Sequence, residues 1–390
     1  MTRPHPGIPA LFRSFLYLGV TAFGGLAMIE PLRRLVVQDR GWLSPREFMD
    51  GVAFCQVIPG ATVVQLATYV GQRLRGPAGA LAAGAAFILP AFVSMTALTW
   101  LYRSFGHLAW VQALSRGLNA AVLALLLQAL WRLGRDICRF WPELALAAGA
   151  FAAFGAQLDY LAVFLGAGVL RCCLPRAGEA GGPGSPEVPK APTGVRELAV
   201  AAGLLAGALA GWLALSRHSP LLAQLAALMA KVGVISFGGG YVMIPVLQRE
   251  VVDHLHWLSL PQFLDGLLLS YVTPGPLIIL AAFTGYLVQG LAGAAVATVA
   301  IFLPPILIVV GLSPFYQQVK GARWMQPFIR GVLAALVGML AWTTLKMGLA
   351  TLTEVKAWAL MLGAAIALLG LDMNLLWVIL AVAVVSVMIF

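Results

Sequence analysis

Phe23-Gly24-Gly25, Trp42-Leu43-Ser44, Pro59-Gly60 and Leu89-Pro90 follow one another in the first hundred residues, and the chain then uses the series again. The second series reads Phe237-Gly238-Gly239, Trp257-Leu258-Ser259, Pro274-Gly275-Pro276 and Leu303-Pro304. The offset is 214 residues at Phe-Gly-Gly, 215 at the tryptophan and Pro-Gly landmarks, and 214 again at Leu-Pro, so one inserted residue explains the slip. Tyr102, Trp110, Gln112, Arg116 and Gly117 recur as Tyr316, Trp324, Gln326, Arg330 and Gly331. A duplicated unit whose apolar runs are interrupted by Gly and Pro at matching places points to a transporter with its site where two repeats meet.

Composition sets the class. Of the 390 residues, 61% are hydrophobic and 10% charged, against about 25% charged in soluble domains. Apolar runs of around 20 residues suit helices crossing a hydrocarbon core of roughly 30 Å. The expected fold is an all-α integral membrane protein, a polytopic helical transporter with two homologous, inverted repeats and Pro/Gly-broken helices, held in a lipid bilayer. The net charge of +10 does not indicate nucleic acid, because the arginines sit mostly in short loops, where they set membrane orientation. Cys55, Cys138, Cys172 and Cys173 have no CxxC spacing and no grouping with His, so no metal is expected. His254 and His256 read as a solvated loop. Without an HExxH, a GxSxG or a P-loop, no enzyme, ATP-driven pump or cofactor is supported. The first apolar run has no A-x-A cleavage site and reads as a retained membrane segment.

Taken in order, the apolar runs assign 1–175 to an N-terminal repeat and 196–390 to a C-terminal repeat. Residues 176–195, rich in Gly and Pro with scattered charge, read as a flexible linker in water. The run at 196–215 has no counterpart in the first half. The loop from Arg33 to Glu47 carries four arginines, and Arg73 and Arg75 follow; the equivalent second-half loops carry Arg249 alone. Lys/Arg excess marks the cytoplasmic side, so the asymmetry favours repeats of opposite orientation.

The candidate site is built from the interruptions. Pro59-Gly60 and Pro274-Gly275-Pro276 break apolar runs, and a broken helix presents half-helix N-termini whose N–H groups can hold an anion. Gly24-Gly25 and Gly238-Gly239 can form nests of N–H groups or allow close helix packing. Gln56, Thr62, Gln65, Tyr271 and Thr273 flank the breaks. Lys231, Arg116 and Arg330 are charges inside apolar runs and can face an anion. Glu30, between Gly25 and Pro31, is the candidate for proton coupling. A homodimer stays open as an assembly.

With the duplicated Phe-Gly-Gly and Trp-Leu-Ser, the stretch Phe54-Cys55-Gln56-Val57-Ile58-Pro59-Gly60, the Gly76–Gly79 turn and Phe87-Ile88-Leu89-Pro90, the chain resembles the chromate ion transporter family over roughly 10–135 and 225–348. The resemblance implies halves of opposite topology in an inner-membrane, multi-pass protein that exports chromate, with sulfate as a competing dianion; a transporter of another small anion such as sulfate or an organic acid, or an anion channel, would use the same glycine and arginine parts. The chain departs from the family pattern at Leu26-Ala27-Met28, where Pro, a small residue and His are usual, and at Ala61, where Pro is usual.

Overall fold

In hydrocarbon no water satisfies the backbone, so an apolar run closes its own hydrogen bonds as a helix. The computed structural model describes residues 6–22, 28–106, 108–174, 195–236, 240–241, 243–315, 324–371 and 373–390, and these form helices with short connections and no strand among them. The first half contains α1 (Ile8–Thr21), α2 (Ile29–Arg33), α3 (Pro45–Val57), α4 (Thr62–Phe105), α5 (Ala109–Ile137), α6 (Trp141–Gly155) and α7 (Tyr160–Cys173). The second contains α8 (Val195–His218), α9 (Pro220–Ile235), α10 (Met243–Leu247), α11 (Leu260–Val272), α12 (Leu280–Leu312), α13 (Met325–Thr351), α14 (Val355–Ala365) and α15 (Leu375–Ile389). Among the described residues, α4, α5, α8, α12 and α13 are long and apolar enough to cross a membrane. The expected linker lies outside the described residues, except for Val195, which opens α8.

The Trp-Leu-Ser landmark is a turn and a cap. The N–H groups of Trp42 and Leu43 donate to the Val36 carbonyl at 2.8 and 3.4 Å, and Trp257 and Leu258 do the same to Val251 at 2.9 and 3.1 Å. Ser44 then starts α3: its Oγ accepts from the Glu47 N–H at 3.2 Å while Glu47 Oε2 accepts from the Ser44 N–H at 2.8 Å. Ser259 and Gln262 repeat the arrangement at 2.9 and 3.4 Å ahead of α11. Each reciprocal pair satisfies two amides that the first helical turn leaves without partners.

α3 has 13 residues, about 20 Å of helix, too short for a core of roughly 30 Å. It does not continue through the Pro59-Gly60 break. A Cβ on Gly51 would lie 2.5 Å from Tyr69 Cδ1, and the Phe54 and Tyr69 rings are 5.9 Å apart, so the chain folds back with Pro-Gly at the tip. The apolar run that Pro59-Gly60 interrupts is a hairpin of two half-length arms.

A second reversal follows inside α4. Arg75 (φ −140°, ψ 20°) and Gly76 (φ 63°) leave helical geometry, and a Cβ on Gly71 or Gly79 would collide with the other residue's carbonyl. In a straight helix those residues stand about 12 Å apart. α12 matches this at Gln289 (φ −145°, ψ 32°) and Gly290 (φ 59°), with Gly285 against Gly293. The long arms that follow, 77–105 and 291–312, also meet. Ile88 and its counterpart Phe302 line one apolar cleft of about 340 Å³. A Cβ on Gly84, one turn before Ile88, would lie 3.3 Å from Ile306, one turn beyond Phe302. Equivalent spanning helices therefore run antiparallel, as inverted repeats require.

The helices gather into two compact units, one of Met1–Trp100, Ser185–Met243 and Leu269–Gly321, the other of Leu101–Gly184, Ile244–Leu268 and Ala322–Phe390. Each unit draws on both repeats. Within the second, α5 of the first repeat packs on α14 and α15, and α13 packs on α6 and α7. The repeated Arg-Gly pair explains the closeness: the Gly117 N–H donates to Ser386 Oγ at 3.1 Å, and Gly331 lies against the Ala167 carbonyl. Ser44→Ala and Ser259→Ala should each cost about 1 kcal/mol. Both should lower the thermal unfolding midpoint in detergent, while Ser44→Asp, which keeps an acceptor at the cap, should hold it near the wild-type value.

Candidate functional site

The two Pro-Gly tips belong to the same unit, and each reaches into the other repeat. α3 ends with the Ile58 N–H on the Phe54 carbonyl at 3.2 Å. Pro59 has no N–H to give, and its carbonyl accepts from Gln65 Nε2 at 2.5 Å. The Gly60 N–H donates to the carbonyl of Ser236, the residue that ends α9. In the second repeat, the Gly275 N–H donates to the carbonyl of Ala22, which ends α1, at 3.0 Å. Ala22 and Ser236 are equivalent positions, as are Gly60 and Gly275, so the two bonds form a reciprocal pair.

Glycine is required at both tips. Gly60 has φ 134° and Gly275 φ 111°, a region that L side chains rarely adopt. A Cβ would lie 2.5 Å from Pro305 Cβ at Gly60 and 2.6 Å from Ala91 Cβ at Gly275. Pro305 and Ala91 directly follow the Leu-Pro landmarks and are again equivalent, so each tip is seated against the long arm of the other repeat.

Beyond each tip a helix begins in a buried place. Ala61, Thr62, Val63 and Val64 are buried, as are Leu277, Ile278 and Ile279, the single 3-10 turn that leads into α12. The first amides of each element have no carbonyl behind them in the helix, and each N-terminus carries about half a positive charge. No Asp, Glu, Lys or Arg occurs from 51 to 72 or from 266 to 288, so the region has no formal charge. Two polar side-chain atoms stand ready: the Tyr271 hydroxyl and Gln65 Oε1 are buried with no hydrogen-bond partner among the described residues. Tyr271 precedes the second tip as Gln56 precedes the first, yet Gln56 is exposed. Thr273 is turned onto its own helix, with Oγ1 on the Leu269 carbonyl at 2.7 Å.

The structure thus brings Pro59, Gly60, Pro274, Gly275 and Pro276 into one unit, together with Thr62, Gln65 and Tyr271. Gly24, Gly25, Gly238 and Gly239 lie outside the described residues. Lys231 is in the same unit, exposed on α9 one turn before Ser236, while Arg116, exposed on α5, and Arg330, half-buried on α13, belong to the other unit. Glu30 is exposed on α2 and holds Arg33 through Nε at 2.8 Å and a second guanidinium nitrogen at 2.7 Å. Those hydrogen bonds keep its carboxyl below the usual carboxylate range.

Sequence reasoning passed over two buried acids. Glu143 on α6 and Arg171 on α7 form an ion pair at 2.7 Å, each side chain only 1% exposed. Asp265 on α11 is 7% exposed; it accepts from the Tyr102 hydroxyl at 2.8 Å and from the Ser115 hydroxyl. The available signal was the rarity of any acid inside an apolar run.

A family model described as chromate transporter matches residues 9–172 and 223–387. Those two blocks cover both repeats and leave out α8. A chromate transport protein of Cupriavidus metallidurans is 34% identical over 343 residues, covering 86% of this chain and 82% of that protein. A chromate transport protein of Pseudomonas aeruginosa is 32% identical over 385 residues, covering 96% and 88%. An uncharacterized transporter of Methanocaldococcus jannaschii is 32% identical over 352 residues, covering 89% and 86%. No solved structure matches the chain.

The tip geometry makes a prediction of its own. Gly60→Ala and Gly275→Ala each force a Cβ into a neighbour at positive φ, and each should cost about 2 kcal/mol or more. Limited proteolysis in detergent should show faster cleavage of both variants, whereas Gly76→Ala, where a Cβ meets nothing within 4 Å, should bear only the backbone strain and be milder.

Proposed function

The chain belongs to the chromate transporter family, and we propose that it is a secondary transporter exporting chromate from the cytoplasm across the inner membrane. The observation carrying this reading is the pair of buried, formally neutral helix N-termini at the Pro-Gly tips. Together they offer about one unit of positive potential without a fixed cation. Preorganised N–H groups suit an oxyanion whose charge is spread over several oxygens. The Tyr271 hydroxyl supplies a further donor. In this proposal Pro59, Gly60, Pro274, Gly275 and Pro276 shape the site. Gln56, Lys231, Arg116 and Arg330 help to draw in the anion, and Gly24-Gly25 and Gly238-Gly239 would add N–H groups to hold it.

Export of a dianion from a negative-inside cell runs down the potential, by about 2.3 kcal/mol per charge for each 100 mV. Labelled chromate uptake into inverted membrane vesicles tests the reading. Saturable, protein-dependent uptake that falls when the potential is collapsed is the expected result, with excess sulfate competing as a dianion of the same shape. Uptake no greater than that of vesicles lacking the protein overturns it. A hydrogen bond to a charged group contributes about 1.5–3 kcal/mol, so Tyr271→Phe should raise the KM for chromate about tenfold or more while the protein remains in the membrane at its usual level.

A further inference from the structure

Two carboxylates are buried among the described residues, and they are held in opposite ways. Glu143 is paired with Arg171, so adding a proton to it would strand a buried guanidinium. Asp265 meets no cation among the described residues. Its two partners are hydroxyls, Tyr102 from the last turn of α4 and Ser115 from α5; Tyr102 is the one titratable group among them. A hydroxyl donates or accepts by rotating its hydrogen. The Asp265 cluster therefore hydrogen-bonds the carboxylate or the carboxylic acid, and protonating it strands no cation.

Position adds to chemistry. Asp265 stands on α11, eight residues before Thr273 and the second Pro-Gly landmark. Its repeat counterpart, Asp50 on α3, is only half-buried, so among the described residues the two equivalent acids differ in burial. Resting on the transport reading above, we propose that Asp265 is the group that binds and releases a counter-moving proton. The carboxylate takes one proton on one side of the membrane, passing from charge −1 to 0, and returns it on the other while the anion crosses the opposite way. A proton entering and a dianion leaving a negative-inside cell both run down the potential.

Inverted vesicles with the potential clamped at zero by valinomycin and potassium isolate the proton term. An acid-inside pH jump should stimulate chromate uptake several-fold in the wild type. Asp265→Asn should lose that stimulation while keeping uptake driven by an inside-positive potential at zero pH gradient. If Asp265→Asn responds to the jump like the wild type, or if the wild type itself ignores the jump while taking up chromate under a potential, the inference is overturned and the transport reading stands. No chromate uptake by the wild type under either force overturns both. Should Asp265→Asn be inactive throughout, Tyr102→Phe decides: it removes one donor and keeps the carboxyl, so a displaced pH midpoint of proton-driven uptake supports the assignment and an unchanged midpoint overturns it.

Discussion

Two backbone hydrogen bonds organise the unit that carries the tips. Each Pro-Gly turn lacks one amide because of its proline and cannot satisfy the next by itself, so the glycine N–H of one repeat is taken by the carbonyl that ends a helix of the other. Everything around the tips follows from meeting that requirement in hydrocarbon, where an unsatisfied amide costs several kcal/mol. The glycines must sit at positive φ, the long arms must come within contact of them, and the arms must run antiparallel for both bonds to form at once. The duplicated landmarks are thus a set of mutually dependent parts.

The same geometry decides how the anion would be held. A buried lysine or arginine would need a partner whenever the site emptied, and an unpaired buried charge is strongly unfavourable. Helix N-termini are fixed dipoles that need no reorganisation between loaded and empty states. A region without formal charge from 51 to 72 and from 266 to 288 fits a carrier that must release its cargo each cycle. Glu143 and Glu30, outside that region, are paired with Arg171 and Arg33.

Much of this was legible in the residues, and the limits have physical causes. The 214-residue offset identified equivalent positions, and the Gly and Pro interruptions located both tips. Equivalence is not contact, however, and nothing local marks Ala22 or Ser236 as the carbonyl a distant glycine will use. A break in an apolar run likewise does not say whether the chain goes on or turns back; the 13-residue length of α3 and the small Gly51 facing Tyr69 settle that only once they are seen together. Asp265 escaped notice because its partners, Tyr102 and Ser115, come from around another turn of the fold. Arg116 and Arg330 drew attention as intramembrane charges, whereas the glycines beside them prove to be packing points against Ser386 and Ala167.

The reciprocal bonds also constrain the order of synthesis. When the ribosome has delivered the first half, Gly60 has no Ser236 to meet and the Ala22 carbonyl has no Gly275, so the first tip enters the bilayer incomplete. The earlier half must wait, in a loosely seated state, for a later one to arrive upside down beside it. The two halves therefore behave as obligate assembly partners that happen to share a peptide chain, and the tether between them serves to keep each half's local concentration high until the exchange closes.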